Sequence, residues 1–132
     1  MLLMKYVYPA LFTPVENGEY DVRFPDLPGC RTCGKTLAEA IEMAEDAVCV
    51  WLWDAENENE TIPSPSISLE AVKPQFVNLI AADTTIYRRQ HETKAVKKTL
   101  SIPSWLNVQA EQANAPYSQI LQEGLKQYLG LQ

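Results

Sequence analysis

The chain has 132 residues, enough for one ordinary domain or two small ones, and 46% of them are hydrophobic against 21% charged. That balance excludes a chain disordered throughout, which would lack the apolar side chains for a core. The net charge of −6 is uneven: residues 1–87 hold five basic and fourteen acidic side chains, residues 88–132 six basic and three acidic. The first part therefore suits a basic partner and the second the phosphates of nucleic acid, although any single acidic residue is first of all a solvated one.

Tyr6 to Pro14 reads as a strand rich in aromatic and aliphatic residues. Pro9 inside it predicts an edge position or a later start. Glu16-Asn17-Gly18-Glu19 predicts a hairpin turn, because Asn and Gly both accept positive φ, and Tyr20 to Phe24 alternates again. Pro25 to Cys30 is a loop by its prolines and glycine, with a short third strand from Cys30 to Cys33 that ends at Gly34. Thr36-Leu37-Ala38-Glu39 is a capping box: the Thr36 hydroxyl accepts from the Glu39 amide, and the Glu39 carboxylate reaches back to the Thr36 amide. The helix that follows places Leu37, Ala40, Ile41, Ala44, Ala47, Val48, Trp51, Leu52 and Ala55 on one stripe, which is core rather than a cofactor box. Glu39, Glu42, Glu45 and Asp46 lie opposite. The helix frays into Glu56–Glu60 and stops before Pro63, and a fourth strand is expected at Phe76 to Ala82. One helix on one small sheet leaves the other face to solvent-tolerant residues or to a partner.

The remaining residues, 88–132, read as a linker and a second module. Residues 97–103 alternate: Leu100 and Ile102 face one way, and Lys97, Thr99 and Ser101 the other, with Lys98 in phase with the apolar pair. A helix follows from Pro103-Ser104, with Trp105, Leu106, Ala110 and Ala113 apolar and Asn114 as terminator. Ala115-Pro116 breaks the chain. Ser118 then caps a second helix with Ile120, Leu121, Gly124, Leu125, Tyr128 and Leu129 inward. One strand and two helices are too small to bury a core alone, so two copies must pair. The pattern resembles the ribbon-helix-helix fold. That resemblance implies a homodimer whose two-stranded ribbon enters the major groove, with Lys97, Thr99 and Ser101 as base contacts. The alternative for these three is an ordinary exposed strand. It also implies a phosphate held at the start of the second helix by Tyr117, Ser118 and Gln119. Lys98, Arg88, Arg89 and Lys94 are further phosphate candidates, or Arg88 and Arg89 are merely a soluble linker.

The chemistry of catalysis and metals is poorly served. Cys30-x-x-Cys33 invites zinc, but only Cys49 and the single His91 remain as ligands. Three cysteines make no disulfide framework and suit a reducing compartment. Asp21, Asp26 and Glu45 would serve a metal-dependent nuclease only if they converged. His91 has no orienting partner visible in the sequence. No catalytic residue, metal or cofactor is expected. The apolar start Met1–Lys5 is too short for a signal peptide and no run approaches a membrane span, so a cytoplasmic protein is expected.

Four segments then carry a family resemblance. Tyr8-Pro9-Ala10-Leu11-Phe12, Phe24-Pro25-Asp26-Leu27-Pro28-Gly29-Cys30, Gly34-Lys35-Thr36-Leu37-Ala38-Glu39-Ala40 and Ile62-Pro63-Ser64-Pro65-Ser66, in that order, resemble the N-terminal domain of HicB-type antitoxins. The resemblance implies an α+β chain: a partial RNase H-like sheet with one covering helix over residues 1–87, then the ribbon-helix-helix domain over 88–132. It implies a HicA-like partner toxin, a small basic ribonuclease with a catalytic histidine, and autorepression through operator DNA. It places Phe24 and Asp26 in a loop that either touches the toxin or is purely structural. Two dimers meeting through the first modules would make a tetramer. The rival readings are a repressor whose first module senses a small ligand, and a nuclease.

Overall fold

A computed structural model describes residues 5–131; the apolar start Met1–Met4 lies outside them. The chain divides into two compact units that meet between Lys94 and Ala95. The first contains β1 (Lys5–Pro14), β2 (Tyr20–Arg23), β3 (Arg31–Gly34), α1 (Leu37–Asn57), β4 (Phe76–Asp83) and α2 (Thr84–His91). The second contains α3 (Ser104–Gln112) and α4 (Tyr117–Leu129).

The strands form one antiparallel sheet in the order β3-β2-β1-β4. β1 is central, yet Pro9 is tolerated, because β2 reaches back only to Leu11 and leaves Pro9 paired with β4 alone. Locally β1 is an edge there, and an edge can dispense with one N–H. The turn between β1 and β2 holds Asn17 at φ 68° and Gly18 at φ 76°, as the Asn-Gly pair predicts, within a single 3-10 turn.

One face of the sheet supplies Tyr8, Ala10, Phe12, Val22, Ile80 and Ala82 to the core. α1 covers that face with Ala40, Ala44, Val48, Leu52 and Ala55. Leu37, expected on the stripe, is exposed, because it stands in the first turn before the helix reaches the sheet. The Glu39 amide donates to Thr36 Oγ1 (3.1 Å), as the capping box predicts. Its carboxylate, however, accepts from the Lys35 amide (3.3 Å) rather than from Thr36. Small residues let α1 lie very close to β3. A Cβ built on Gly34 would collide with the Ala40 backbone.

The expected boundary at residue 87 is corrected by α2, which continues from β4 and packs on α1. Asp83 caps it, accepting from the amides of Thr85 (2.9 Å) and Ile86 (3.3 Å). Glu56, at the end of α1, accepts from Tyr6 Oη (2.9 Å), Thr84 Oγ1 (3.3 Å) and Arg88 Nη2 (3.0 Å). Burial, and then the hydrogen bond to Glu56, push the Tyr6 phenol up to about 12. Arg88 also pairs with Glu92 (2.8 Å), and the Trp53 indole donates to the same carboxylate. Arg88 is thus an anchor of the fold, not a linker residue or a phosphate contact.

The second unit differs from expectation in its first element. Residues 93–103 carry no regular structure and their side chains are exposed, so the strand over 97–103 is not formed in the single chain. A lone strand has no ladder to satisfy its N–H and C=O groups. α3 and α4 do form. Asn114 sits at φ 51° after α3, and Gly130 at φ 71° ends α4. Pro116 rather than Ser118 occupies the cap of α4, and Ser118 lies within its first turn. No residue of either helix is buried: Trp105 is 63% exposed and Tyr128 88%.

Gly34→Ala should cost about 1–3 kcal/mol, the range for overpacking a close contact, and lower the Tm of the first unit by about 5–20 °C. A second expectation concerns acid. The hydrogen bond from Trp53, helped by Arg88, holds the Glu92 carboxyl below its ordinary value. Its contribution is therefore present above the unfolded carboxylate pKa and is lost as pH falls through the lower folded value. The Tm of Glu92→Gln should fall less steeply with acid than that of the native chain.

Candidate functional site

Two surfaces are candidates, one in each unit. In the second unit, Lys97, Thr99 and Ser101 are all exposed, as are Lys98, Leu100 and Ile102, in a stretch without regular structure. At the start of α4 the first intrahelical bond runs from the Ile120 amide to the Pro116 carbonyl (3.0 Å). The amides of Tyr117, Ser118 and Gln119 therefore have no carbonyl partner within the helix, and the positive end of its dipole lies there. The Tyr117 hydroxyl donates to Asn107 Oδ1 (3.4 Å), fixing the start of α4 against α3. The unit thus presents free backbone donors at the start of α4 and exposed polar side chains before α3.

In the first unit, the sheet face opposite α1 carries two kinds of side chain. Register places Val7 beside Ala81, Pro9 beside Leu79 and Leu11 beside Val77 on the β1–β4 half. The β2–β3 half carries Asp21 beside Cys33 and Arg23 beside Arg31. A cleft of about 460 Å³ runs over Leu11, Thr13, Asp21, Arg23, Arg31 and Gln75. Arg23 opposite Arg31 is an unfavourable like-charge pair in the isolated sheet.

The two toxin-facing candidates do not belong to such a surface. Phe24 is buried in the core. Asp26 accepts from the Ser66 amide (2.9 Å) and hydroxyl (2.5 Å), tying the loop after β2 to the chain after α1. The Pro63 carbonyl accepts from the Tyr8 hydroxyl (2.5 Å), so the whole exit from α1 is pinned to the core. Both side chains are thus engaged within the chain's own first unit. Sequence reasoning missed the Glu56–Arg88 junction, although Asp83-Thr84-Thr85 is itself a helix-start signal.

The cysteines separate rather than converge. Cys30 is buried, and burial pushes its thiol up to about 11, while Cys33 is exposed on the outer sheet face. His91 stacks on Tyr87 with ring centroids 4.0 Å apart, and its Nδ1 lies 2.9 Å from the Tyr87 carbonyl. Among the described residues, no group of three or more His, Cys, Asp or Glu comes together to hold a metal. No helix among them is long and apolar enough to cross a membrane.

The family model described as the HicB-like antitoxin of bacterial toxin-antitoxin systems matches residues 8–122. The chain belongs to that family. The HicB-like chain is 47% identical over 58 residues to antitoxin HicB 1 of Photorhabdus laumondii, which is 44% of this chain and 37% of that protein. It is 44% identical over 59 residues to antitoxin HicB of Escherichia coli K12, 45% of this chain and 43% of that one. The match thus spans less than half the length of these curated relatives. The solved structure of antitoxin HicB3 is 26% identical, with a TM-score of 0.52 over 93% of this chain and 97% of that one. Among its described residues the chain shares with these antitoxins a mixed fold, here a four-stranded antiparallel sheet with four helices.

Asp26→Ala should cost about 1–3 kcal/mol, the value of charge-assisted hydrogen bonds to a held loop. The urea midpoint should fall with the m-value unchanged, as for a change in stability rather than in compactness.

Proposed function

We propose that this HicB-like chain is a noncatalytic antitoxin that binds and blocks a small basic ribonuclease toxin of the HicA type and represses its own operon. The first unit, a partial RNase H-like module, is the toxin-binding part; its acidity over residues 1–87 suits a basic partner and steers association. The second unit is a ribbon-helix-helix reader that works as a dimer. The single observation that carries this is a DNA-suited unit with no core of its own. Leu100, Ile102, Trp105, Val108, Ile120, Leu125 and Leu129 are all exposed in one chain. A second copy would supply the missing strand partner at 97–103 and the missing helix faces.

In that dimer the two strands lie antiparallel. Lys97, Thr99 and Ser101 then face the major groove while Leu100 and Ile102 turn to the helices. Lys97 donates to guanine acceptors. Thr99 and Ser101 approach base edges closely but discriminate them weakly. The amides of Tyr117, Ser118 and Gln119, with Lys98, hold phosphates and set the register. Exclusion of RNA by the bound first unit needs no catalytic group. A partner that cleaves RNA and an operator on DNA both fit action in the cytoplasm.

Co-expression with the small basic protein encoded beside it should give a stable complex, and RNA cleavage by that protein should stop when this chain is added. Operator DNA should be bound with affinity falling steeply in log salt. Leu100→Glu should abolish that binding by breaking the dimer, while Lys97→Ala should weaken it by about 1–3 kcal/mol. A chain that neither forms the complex nor binds DNA would refute the reading. Inhibition of the ribonuclease by both DNA-binding variants would assign toxin binding to the first unit.

A further inference from the structure

The sheet face that α1 leaves bare carries one charge arrangement at odds with the unit around it. Residues 1–87 hold fourteen carboxylates and only five basic side chains. Two of those five, Arg23 and Arg31, stand directly opposite each other on β2 and β3. Both are exposed, and among the described residues neither guanidinium is paired with a carboxylate. Opposite residues in an antiparallel pair have Cα atoms about 4.5–5.5 Å apart, so the two charges repel. The registers place them in one row across all four strands: Val77, Leu11, Arg23 and Arg31. Beside it on the same face runs a shorter row, Thr13, Asp21 and Cys33, with Gln75 at its end. The cleft of about 460 Å³ spans both rows.

We propose that the Arg23–Arg31 pair binds a phosphomonoester, the doubly charged terminal phosphate of a nucleotide or of an RNA 5′ end. A guanidinium fork matches two oxygens of an anion in one plane. One carboxylate is therefore filled by one arginine. Two forks side by side suit a group with three free oxygens and close to two negative charges, which a terminal phosphate carries at neutral pH. The Thr13 hydroxyl accepts from the Gln75 side-chain amide (3.1 Å), so its own proton remains to be donated at the margin of the same cleft. Asp21 narrows the choice of ligand. It lies two residues along β2 from Arg23 on the same face, about 7 Å away by the rise of a strand. A phosphodiester chain running along β2 would bring a second phosphate toward that carboxylate. A single terminal phosphate leaves the carboxylate to accept from a sugar hydroxyl. Leu11 and Val77 continue the arginine row as an apolar floor for the rest of the ligand. The site is independent of the antitoxin reading and of the pairing of the second unit.

The test is nuclear magnetic resonance on the full chain, with adenosine 5′-monophosphate as the probe. The backbone amides of β2 and β3 and the side-chain Nε–H signals of Arg23 and Arg31 should shift saturably. Adenosine without its phosphate should shift none of them. Arg31→Gln removes the charge and the fork from an exposed position, so the rest of the spectrum should stay native. It should weaken binding about ten- to a hundredfold, the value of charge-assisted hydrogen bonds. Arg31→Lys keeps the charge without the fork, and its affinity should fall between the two. A short 5′-phosphorylated oligoribonucleotide separates the two sources. Tighter binding than the mononucleotide supports the proposal with an RNA end as the ligand, and equal affinity supports it with a free phosphomonoester. Absence of saturable shifts at Arg23 and Arg31, shifts confined to the start of α4, or unchanged affinity in Arg31→Gln overturns the proposal.

Discussion

Everything in the first unit follows from how closely α1 lies on the sheet. Gly34 has no Cβ, Ala40 and Ala44 have little more, and so the helix meets β3 almost backbone to backbone. Further along, Val48 and Leu52 fill the wider space over β1 and β4 with Phe12 and Ile80. The graded sizes fix both the seat and the direction of the helix, because a packed interior tolerates neither voids nor added methyl groups. The same seat sets what remains outside: one helix spends its apolar stripe on one face and leaves the other bare.

The Glu56 junction locks the far end of that arrangement. One carboxylate receives the Tyr6 hydroxyl from β1 and Thr84 and Arg88 from α2, so two elements converge on the end of α1. A largely desolvated carboxylate is tolerated only when its lone pairs are filled, and here three donors fill them. α2 itself is mostly polar, with Tyr87 on Trp53 as its main apolar contact. It is a helix held by its cap and by a long-range ion pair rather than by a buried stripe.

That difference explains what could be read from the sequence. The Asn-Gly turn, the Thr36 cap and the spacing of Ala40, Ala44, Val48 and Leu52 are local signals, and each appears in the structure where the spacing put it. α2 was illegible because Thr84-Thr85-Ile86-Tyr87-Arg88-Arg89 has no helical apolar period, and its partners lie more than thirty positions away in Glu56 and Trp53. Phe24 and Asp26 stand out by composition, but composition does not separate a docking loop from a loop bound to its own core. Ser66, the hydrogen-bond partner of Asp26, is forty positions distant. Residues 97–103 alternate as a strand would, yet they form none in the single chain, where no neighbouring strand supplies a ladder.

The two units therefore pose one physical problem at different scales. α3 and α4 bury no side chain: Leu121 is half-buried and their other large apolar residues are exposed, which a segment so short cannot cure by itself. The first unit has a complete core and a bare edge, β4. The first unit lacks only cover for one face of its sheet, whereas the second, taken alone, lacks a core altogether.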